Sequence, residues 1–419
     1  MNNYLSSLEK KDYFLLISLS AFLIPLLLFV FRYQDDNRLT SWMWAFAGVD
    51  TSNFFLILIP GIIAAYALSK FSLPEQNPVI FLFIASFIAG FLFWKEPEVI
   101  VDASRYFTQA KHLKEYGIRY FAGEWGRGVG AWTDLPLVPF LYGLIFKFFG
   151  ESRLCIQIFT TSIFSLTVVL TFLTGKILWD EDVGFRAGAL LSGMPYLLTQ
   201  VPLMLVDVPT MFFLTLSIFT FIKALERGRV WIAISSIAVF LAVFSKYSTW
   251  LMLSVLVVIF LVYLREGAGG RNIIYRGTLV AIVAGILIGI VIFIKFDVIS
   301  EQINLLLSYQ RPGLRRWGES FVSTFFYQVH PFITIAALYS FYAAVKKRDF
   351  RYVIIIWLIL LVVLLGIRRA RYILIIFPML ALAASYGLRE IKDKEIKRFI
   401  VLCAVISSLL TGFFVYLPF

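Results

Sequence analysis

Asp102, Arg105, Tyr106, Gln109 and Tyr116 fall on one face if the chain from Asp102 onward is helical, turning by roughly 100° per residue. That face would carry an acid, a permanent cation and hydrogen-bonding aromatics. A carboxylate held beside a guanidinium stays ionised, so it can accept a proton from a reacting group. The same mixture also describes the wet side of an amphipathic helix, and spacing alone favours that reading. The choice depends on where the rest of the chain puts this stretch.

The stretch is a charged island, WKEPEVIVDASRYFTQAKHLKEYGIR from Trp94 to Arg119, set between long apolar runs. Of the 419 residues 60% are hydrophobic and only 15% charged, which excludes a water-soluble globule and implies an all-α, polytopic integral membrane protein. About thirteen apolar stretches are long enough to be read as transmembrane helices, the first at 13–31 and the last at 399–417. The first follows Lys10 and Lys11 and lacks a small-residue cleavage pattern after it, so it is expected to be a retained span. Cys155 and Cys403 lie far apart inside predicted spans and read as small apolar fillers.

Threaded from a cytoplasmic N-terminus, the segments KALERGR, REGAGGRNIIYRG, KKRDFR and REIKDKEIKR fall inside. Once the two long outer loops are set aside, basic residues number 20 inside against 6 outside, as the positive-inside rule requires. The Trp94 island then faces out of the cell (cytoplasmic) membrane. The basic residues that remain outside in short segments are Arg32, Arg38, Lys246, Arg368, Arg369 and Arg371, and an anionic ligand at that face would explain them.

Further elements bear on the island. LPLVPFLYGLIFKFF, Leu135 to Phe149, is too short to cross a bilayer comfortably and suits a juxtamembrane helix. With the Asp102 helix it would form a two-helix platform. Asp207, in LMLVDVPTMFF, is either a helix cap ahead of Pro209 or a site residue. Lys246, in FSKYSTW, makes a tight outer turn and shows no partner in the sequence. The segment Lys295 to His330, with RPGLRRWGES at its centre, is a lid or an ordinary surface loop. His112 and His330 have no companion at metal-ligand spacing, and GAGG at 267–270 lacks the lysine of a phosphate loop.

Taken in order, these segments resemble the GT-C class of membrane glycosyltransferases, the superfamily of protein O-mannosyltransferases and lipid A aminoarabinose transferases. Asp102-Ala-Ser-Arg105-Tyr106 is similar to the acid-x-x-Arg-Tyr element of the first outer loop, and DLPLVPFLYGLIFKFFGES, from Asp134, to the Pro-rich juxtamembrane helix that follows. Asp207-Val-Pro209, Ser245-Lys246 and the late RRARYILIIFPMLALAASYGL, with Arg371, Tyr372 and Pro378, match later elements in the expected order. The likeness runs from about Val79 to Leu388. The chain departs from it in having Ala103 where many relatives place a second acid, Leu135 before the juxtamembrane proline, and two spans ahead of the catalytic loop.

The resemblance implies an inverting glycosyltransferase that moves a sugar from a dolichyl or undecaprenyl phosphate to an acceptor hydroxyl on a protein, glycan or lipid, at the extracytoplasmic face. Asp102 would be the base, and Arg105, Lys246 and Arg371 would hold the lipid phosphate. Tyr106, Asp134, Asp207 and Glu98 would bind substrate, Glu98 as a second acid if the helix begins early. Partners are then the polyprenyl-phosphate donor, the acceptor and membrane lipids, not nucleic acid. No cofactor is called for, and a divalent metal lacks a supporting ligand set. The chain is expected to divide into two N-terminal spans (1–77), a GT-C module containing the outer loop 95–152 (78–300) and a C-terminal part (301–419). Two other classes compete: a transporter or flippase, for which no internal repeat is evident, and a noncatalytic membrane subunit.

Overall fold

Residues 9–32, 51–71, 77–98, 100–126, 135–266, 270–310, 321 and 323–416 are described by a computed structural model. Asp134, Arg38 and the RPGLRRWGES segment lie outside them. Among the described residues the chain is helical, without strands. The helices are α1 (Lys10–Arg32), α2 (Thr51–Ser69), α3 (Pro78–Phe91), α4 (Val101–Glu124), α5 (Leu137–Phe149), α6 (Arg153–Leu178), α7 (Glu181–Leu191), α8 (Pro195–Gln200), α9 (Asp207–Arg227) and α10 (Val230–Val243). They continue as α11 (Ser248–Met252), α12 (Ser254–Glu266), α13 (Gly270–Ile294), α14 (Phe296–Leu305), α15 (Pro331–Lys347), α16 (Tyr352–Leu364), α17 (Ala370–Ile373), α18 (Phe377–Leu388) and α19 (Lys394–Thr411). Seven stretches among the described residues are long and apolar enough to cross a membrane: α2, α6, α9, α11 with α12, α13, α17 with α18, and α19 with its extension. α3, α5, α10 and α16 are apolar but shorter.

Three of the seven, α6, α9 and α17 with α18, are the most buried and run in the same direction through the centre. Several of their buried hydroxyls are satisfied within the helix, the local partner available where water is absent. Thr167, Thr171 and Thr174 of α6 each donate to the carbonyl four residues back, at 2.7–2.8 Å, and Thr215 and Ser217 of α9 do the same at 2.8 Å. α9 spans about 30 Å at 1.5 Å per residue, so Asp207 and Arg227 stand at opposite ends of the molecule.

Two apolar runs, 185–205 and the late Arg-Tyr stretch, change helical geometry next to a proline. The run at 185–205 stops after α7 and resumes as the one-and-a-half-turn α8, because Pro195 starts α8 and pushes Met194 into extended backbone (φ −95°, ψ 111°). The late Arg-Tyr span tightens into a 3-10 turn at Leu374–Ile376, ahead of Pro378 in the first turn of α18. The segment expected as a loop from Lys295 instead begins with α14, whose first turn is tied back: Lys295 Nζ donates to the carbonyls of Gly123 and Trp125 at 3.1 and 3.3 Å.

Helices α4 and α5 pack against each other as the expected platform. They approach so closely that a Cβ on Gly143 would come within 2.7 Å of Leu113 Cβ and 3.1 Å of the Ala110 carbonyl. α4 bends at Gly117, whose φ of 82° suits glycine and few other residues. Tyr106 and Gln109 lie on its buried side, whereas Tyr116, expected on the same face, is exposed just before the bend, its ring 4.6 Å from that of Tyr120 and tilted 43° to it.

Candidate active site

The segment that delivers Asp102 is pinned before α4 begins. Thr161 accepts from Trp94 Nε1 at 2.9 Å, Gln157 donates to the Trp94 carbonyl at 2.7 Å, and the Arg153 guanidinium donates to the Glu96 carbonyl. Arg153, Gln157 and Thr161 are four residues apart, one polar stripe along α6 that grips the loop at Trp94 and Glu96. Glu98 Oε1 then accepts the Met204 amide at 2.8 Å, tying the loop to the turn that leads into α9. α4 starts at Val101, so Glu98 lies outside the helix and acts as a tether to that turn. The same turn is held from the other side by Tyr142 of α5, whose buried hydroxyl donates to the Leu205 carbonyl at 2.6 Å.

The Lys246 turn is fixed with equal care. Ser245 and Thr249 hydroxyls both donate to the Ala242 carbonyl at 2.7 Å, and Trp250 Nε1 donates to Val243 O at 2.8 Å. The first amide of α5, Leu137 N, reaches the Phe244 carbonyl at 3.2 Å. The platform, the loop and the turn therefore converge on one end of the central helices.

Five charges meet there. Asp207 is fully buried, and its carboxylate does not cap its own helix: Oδ1 accepts from Lys246 Nζ, and Oδ2 accepts from Arg371 Nε at 2.8 Å. Arg371, only 5% exposed, reaches past Asp207 with Nη1 to Asp102 Oδ2. Arg105 Nη2 completes the chain on Asp102 Oδ1 at 2.7 Å. Tyr106 is buried beneath, with the Arg105 guanidinium 5.9 Å from its ring, and Lys246 Nζ sits 5.0 Å from the centre of the Tyr372 ring. Arg369 flanks the same ring at 5.2 Å.

Three cations and two carboxylates leave the chain of charges with one excess positive charge. Such a cluster, half sunk among helix ends, is a place for an anion. Burial works against ionisation of Asp102, but the Arg371 guanidinium, helped by Arg105, outweighs it and holds the carboxyl below the usual carboxylate range. In the pinned loop the balance is opposite: burial pushes Glu96 up to about 8, with Arg153 offsetting it only in part, and burial also raises Glu98 against the pull of the Met204 amide. Among the described residues no three His, Cys, Asp or Glu side chains come together as a metal-ligand group.

A family model described as dolichyl-phosphate-mannose-protein mannosyltransferase matches residues 134–301, which include Asp207 and Lys246. A search of curated protein sequences returns no significant match. Among solved structures, the ArnT of Cupriavidus metallidurans bound to undecaprenyl phosphate superposes with a TM-score of 0.57 at 14% identity, over 76% of this chain and 61% of that one. The apo oligosaccharyltransferase of Archaeoglobus fulgidus gives 0.58 at 13% identity, over 82% and 57%. The archaeal oligosaccharyltransferase AglB of the same organism, in complex with an inhibitory peptide and a dolichol-phosphate, gives 0.53 at 13%, over 76% and 51%. This chain has the GT-C fold. It is a multi-pass membrane protein that spans less than two thirds of the length of each of those structures.

Within the GT-C fold, five of the eight residues singled out in the sequence, Asp102, Arg105, Asp207, Lys246 and Arg371, form one hydrogen-bonded chain. Tyr106 lies directly against it and Glu98 anchors its approach, while Asp134 lies outside the described residues. Sequence reasoning missed Arg153, Gln157 and Thr161. Their spacing on an otherwise apolar span was the available signal. It also gave Tyr372 no separate role, although its ring lies against Lys246 of the cluster and against Arg369 beside it.

Proposed function

We propose that the protein is an inverting glycosyltransferase that moves a sugar from a polyprenyl phosphate to an acceptor hydroxyl at the extracytoplasmic face. The observation that carries the proposal is the chain Lys246–Asp207–Arg371–Asp102–Arg105, running from buried Asp207 to exposed Arg105 and assembled from four separate segments at one end of the membrane helices. Two structures sharing the fold were solved with undecaprenyl phosphate and with dolichol-phosphate, which supports a lipid phosphate as the anion. Dolichyl-phosphate-mannose in the matching family's description supports a sugar-loaded one.

In the proposed reaction the acceptor oxygen forms a bond to the anomeric carbon while its proton passes to Asp102. The bond from that carbon to the phosphate oxygen breaks, and its electron pair leaves with the lipid phosphate. Arg371, Lys246 and Arg105 stabilise the charge that develops there, which side-chain cations can do without a metal. Tyr106 and Asp134 are proposed to contact substrate. Asp207 and Glu98 are proposed to do so as well, and their bonds to Arg371 and to the Met204 amide also position the site. The division into 1–77, 78–300 and 301–419 is part of the same proposal, as are a cytoplasmic N-terminus and a cytoplasmic-membrane location.

The test is to incubate purified protein with a panel of sugar-linked polyprenyl phosphates and to measure free lipid phosphate. One member of the panel should release it in the presence of an acceptor. A flippase, the competing reading that the broken spans would suit, moves the intact donor and releases none.

A further inference from the structure

Resting on the proposed function, a second property follows from how the charges are shared. Both oxygens of Asp102 are occupied, Oδ1 by Arg105 and Oδ2 by Arg371. A carboxylate so engaged is a weak proton acceptor. Arg371 holds its two acids by different atoms, with Nε on Asp207 and Nη1 on Asp102. A phosphate taken end-on by the two Nη groups would need the position that Asp102 now fills and would leave the Nε bond intact.

We infer that Arg371 is exchanged between Asp102 and the donor phosphate, so that donor binding frees the base, and that Asp207 is the positioning residue that keeps Arg371 in place through the exchange. The burial is arranged for this. Asp207 is inaccessible to solvent and its second cation, Lys246, is only 17% exposed, whereas the Asp102 side chain is 33% exposed and its second cation, Arg105, 41%.

Charge and protons balance across the cycle. The donor is a phosphodiester with one negative charge, matching the single excess positive charge of the cluster. Transfer puts the acceptor proton on Asp102 and turns the phosphate into a monoester with nearly two negative charges. A protonated Asp102 no longer offsets a cation, so the cluster's excess rises to two as the phosphate's charge does. When Asp102 loses its proton it competes for Arg371 again and favours departure of the lipid phosphate. Acceptors would therefore be attacked only with donor in place, and hydrolysis of the donor by stray water would be limited to that interval.

The experiment measures binding of sugar-free polyprenyl phosphate to the full-length protein in nanodiscs, for wild type, Asp102→Asn, Asp207→Asn and Asp207→Glu. Removing the competing carboxylate should tighten binding in Asp102→Asn by roughly 5- to 150-fold, the span of ordinary coupling between two sites. Unchanged or weaker binding would overturn the exchange, and Asp102→Ser carries the same expectation if the Asn protein folds poorly. Asp207→Asn should weaken binding by a similar factor and Asp207→Glu should restore most of it. Equal affinity in all three Asp207 forms would remove its positioning role. An Asp102→Asn protein that binds more tightly yet transfers sugar at the wild-type rate keeps the exchange and sinks the base. One that is inactive with unchanged affinity does the reverse.

Discussion

The two ends of the helix bundle handle charge in opposite ways. At the site end, carboxylates are shared: Asp207 and Asp102 each serve two cations, and Arg371 joins them while nearly removed from solvent. At the far end, charges stand at the surface, in pairs such as Lys176 with Glu181 at 2.6 Å, Arg351 with Glu266 at 2.7 Å and Lys347 with Glu390, and in the exposed group Asp393–Lys10–Glu395–Lys70. Half-buried Asp349 there is satisfied by neutral donors, Trp179 Nε1 at 2.8 Å and the Tyr386 hydroxyl at 3.0 Å. Exposed pairs contribute little to stability and tolerate change. A buried shared network costs desolvation to assemble and is hard to explain by stability alone. The difference is what the proposed function requires: one end kept for an incoming charge, the other an ordinary exposed surface.

Breaking the network at its most buried point should give the largest effect. Asp207→Leu leaves Arg371 and Lys246 without their shared partner, and removing one member of a buried pair costs roughly 3–5 kcal/mol. A clear drop in unfolding temperature should follow in detergent or nanodiscs. Wild-type stability in this variant would mean that the cluster is wetter than its burial indicates.

The pinned loop predicts a pH effect of definite sign. Glu96 stands near 8 when folded, against its ordinary value of 4.5. Between those values the folded protein keeps a proton that the unfolded chain has released, so stability falls as pH rises through that window and levels off above it. Glu96→Gln should remove this slope and be more stable than wild type at pH 8, by on the order of a few kcal/mol. Parallel stability curves for the two proteins would contradict it.

Most of the cluster was legible in the sequence because charged residues at the ends of long apolar helices have few places to go. Asp102, Arg105, Asp207, Lys246 and Arg371 were all singled out there. The pairing was not legible, since it depends on which side chains the central helices bring within 3 Å. Lys246 showed no partner 39 residues from Asp207, and Arg371 lies 269 residues from Asp102. Of the fold, the helical stretches were readable from apolar length, but the break at Met194 needed the weight of Pro195 against an otherwise unbroken apolar run. α14 was hidden because its polar mixture reads equally as loop.

A smaller effect should come from the platform. Tyr142→Phe removes a buried hydrogen bond to Leu205 O and leaves that carbonyl unsatisfied, a loss of roughly 1–3 kcal/mol. Activity should fall with it, because Leu205 leads directly into Asp207. Full activity with reduced stability would uncouple the platform from the site. The smallest effect belongs to the far end: Lys347→Gln, which opens the pair with Glu390, should leave unfolding temperature and sugar transfer indistinguishable from wild type. A loss of transfer there would erase the contrast between the two ends.

The most direct test is single-turnover transfer from a matched sugar-linked polyprenyl phosphate by wild type and by Asp102→Asn. A positioned base contributes about 10²- to 10⁴-fold, and a loss of that size in a protein that unfolds like wild type is the expected result. Wild-type turnover by Asp102→Asn would contradict the assignment of the base.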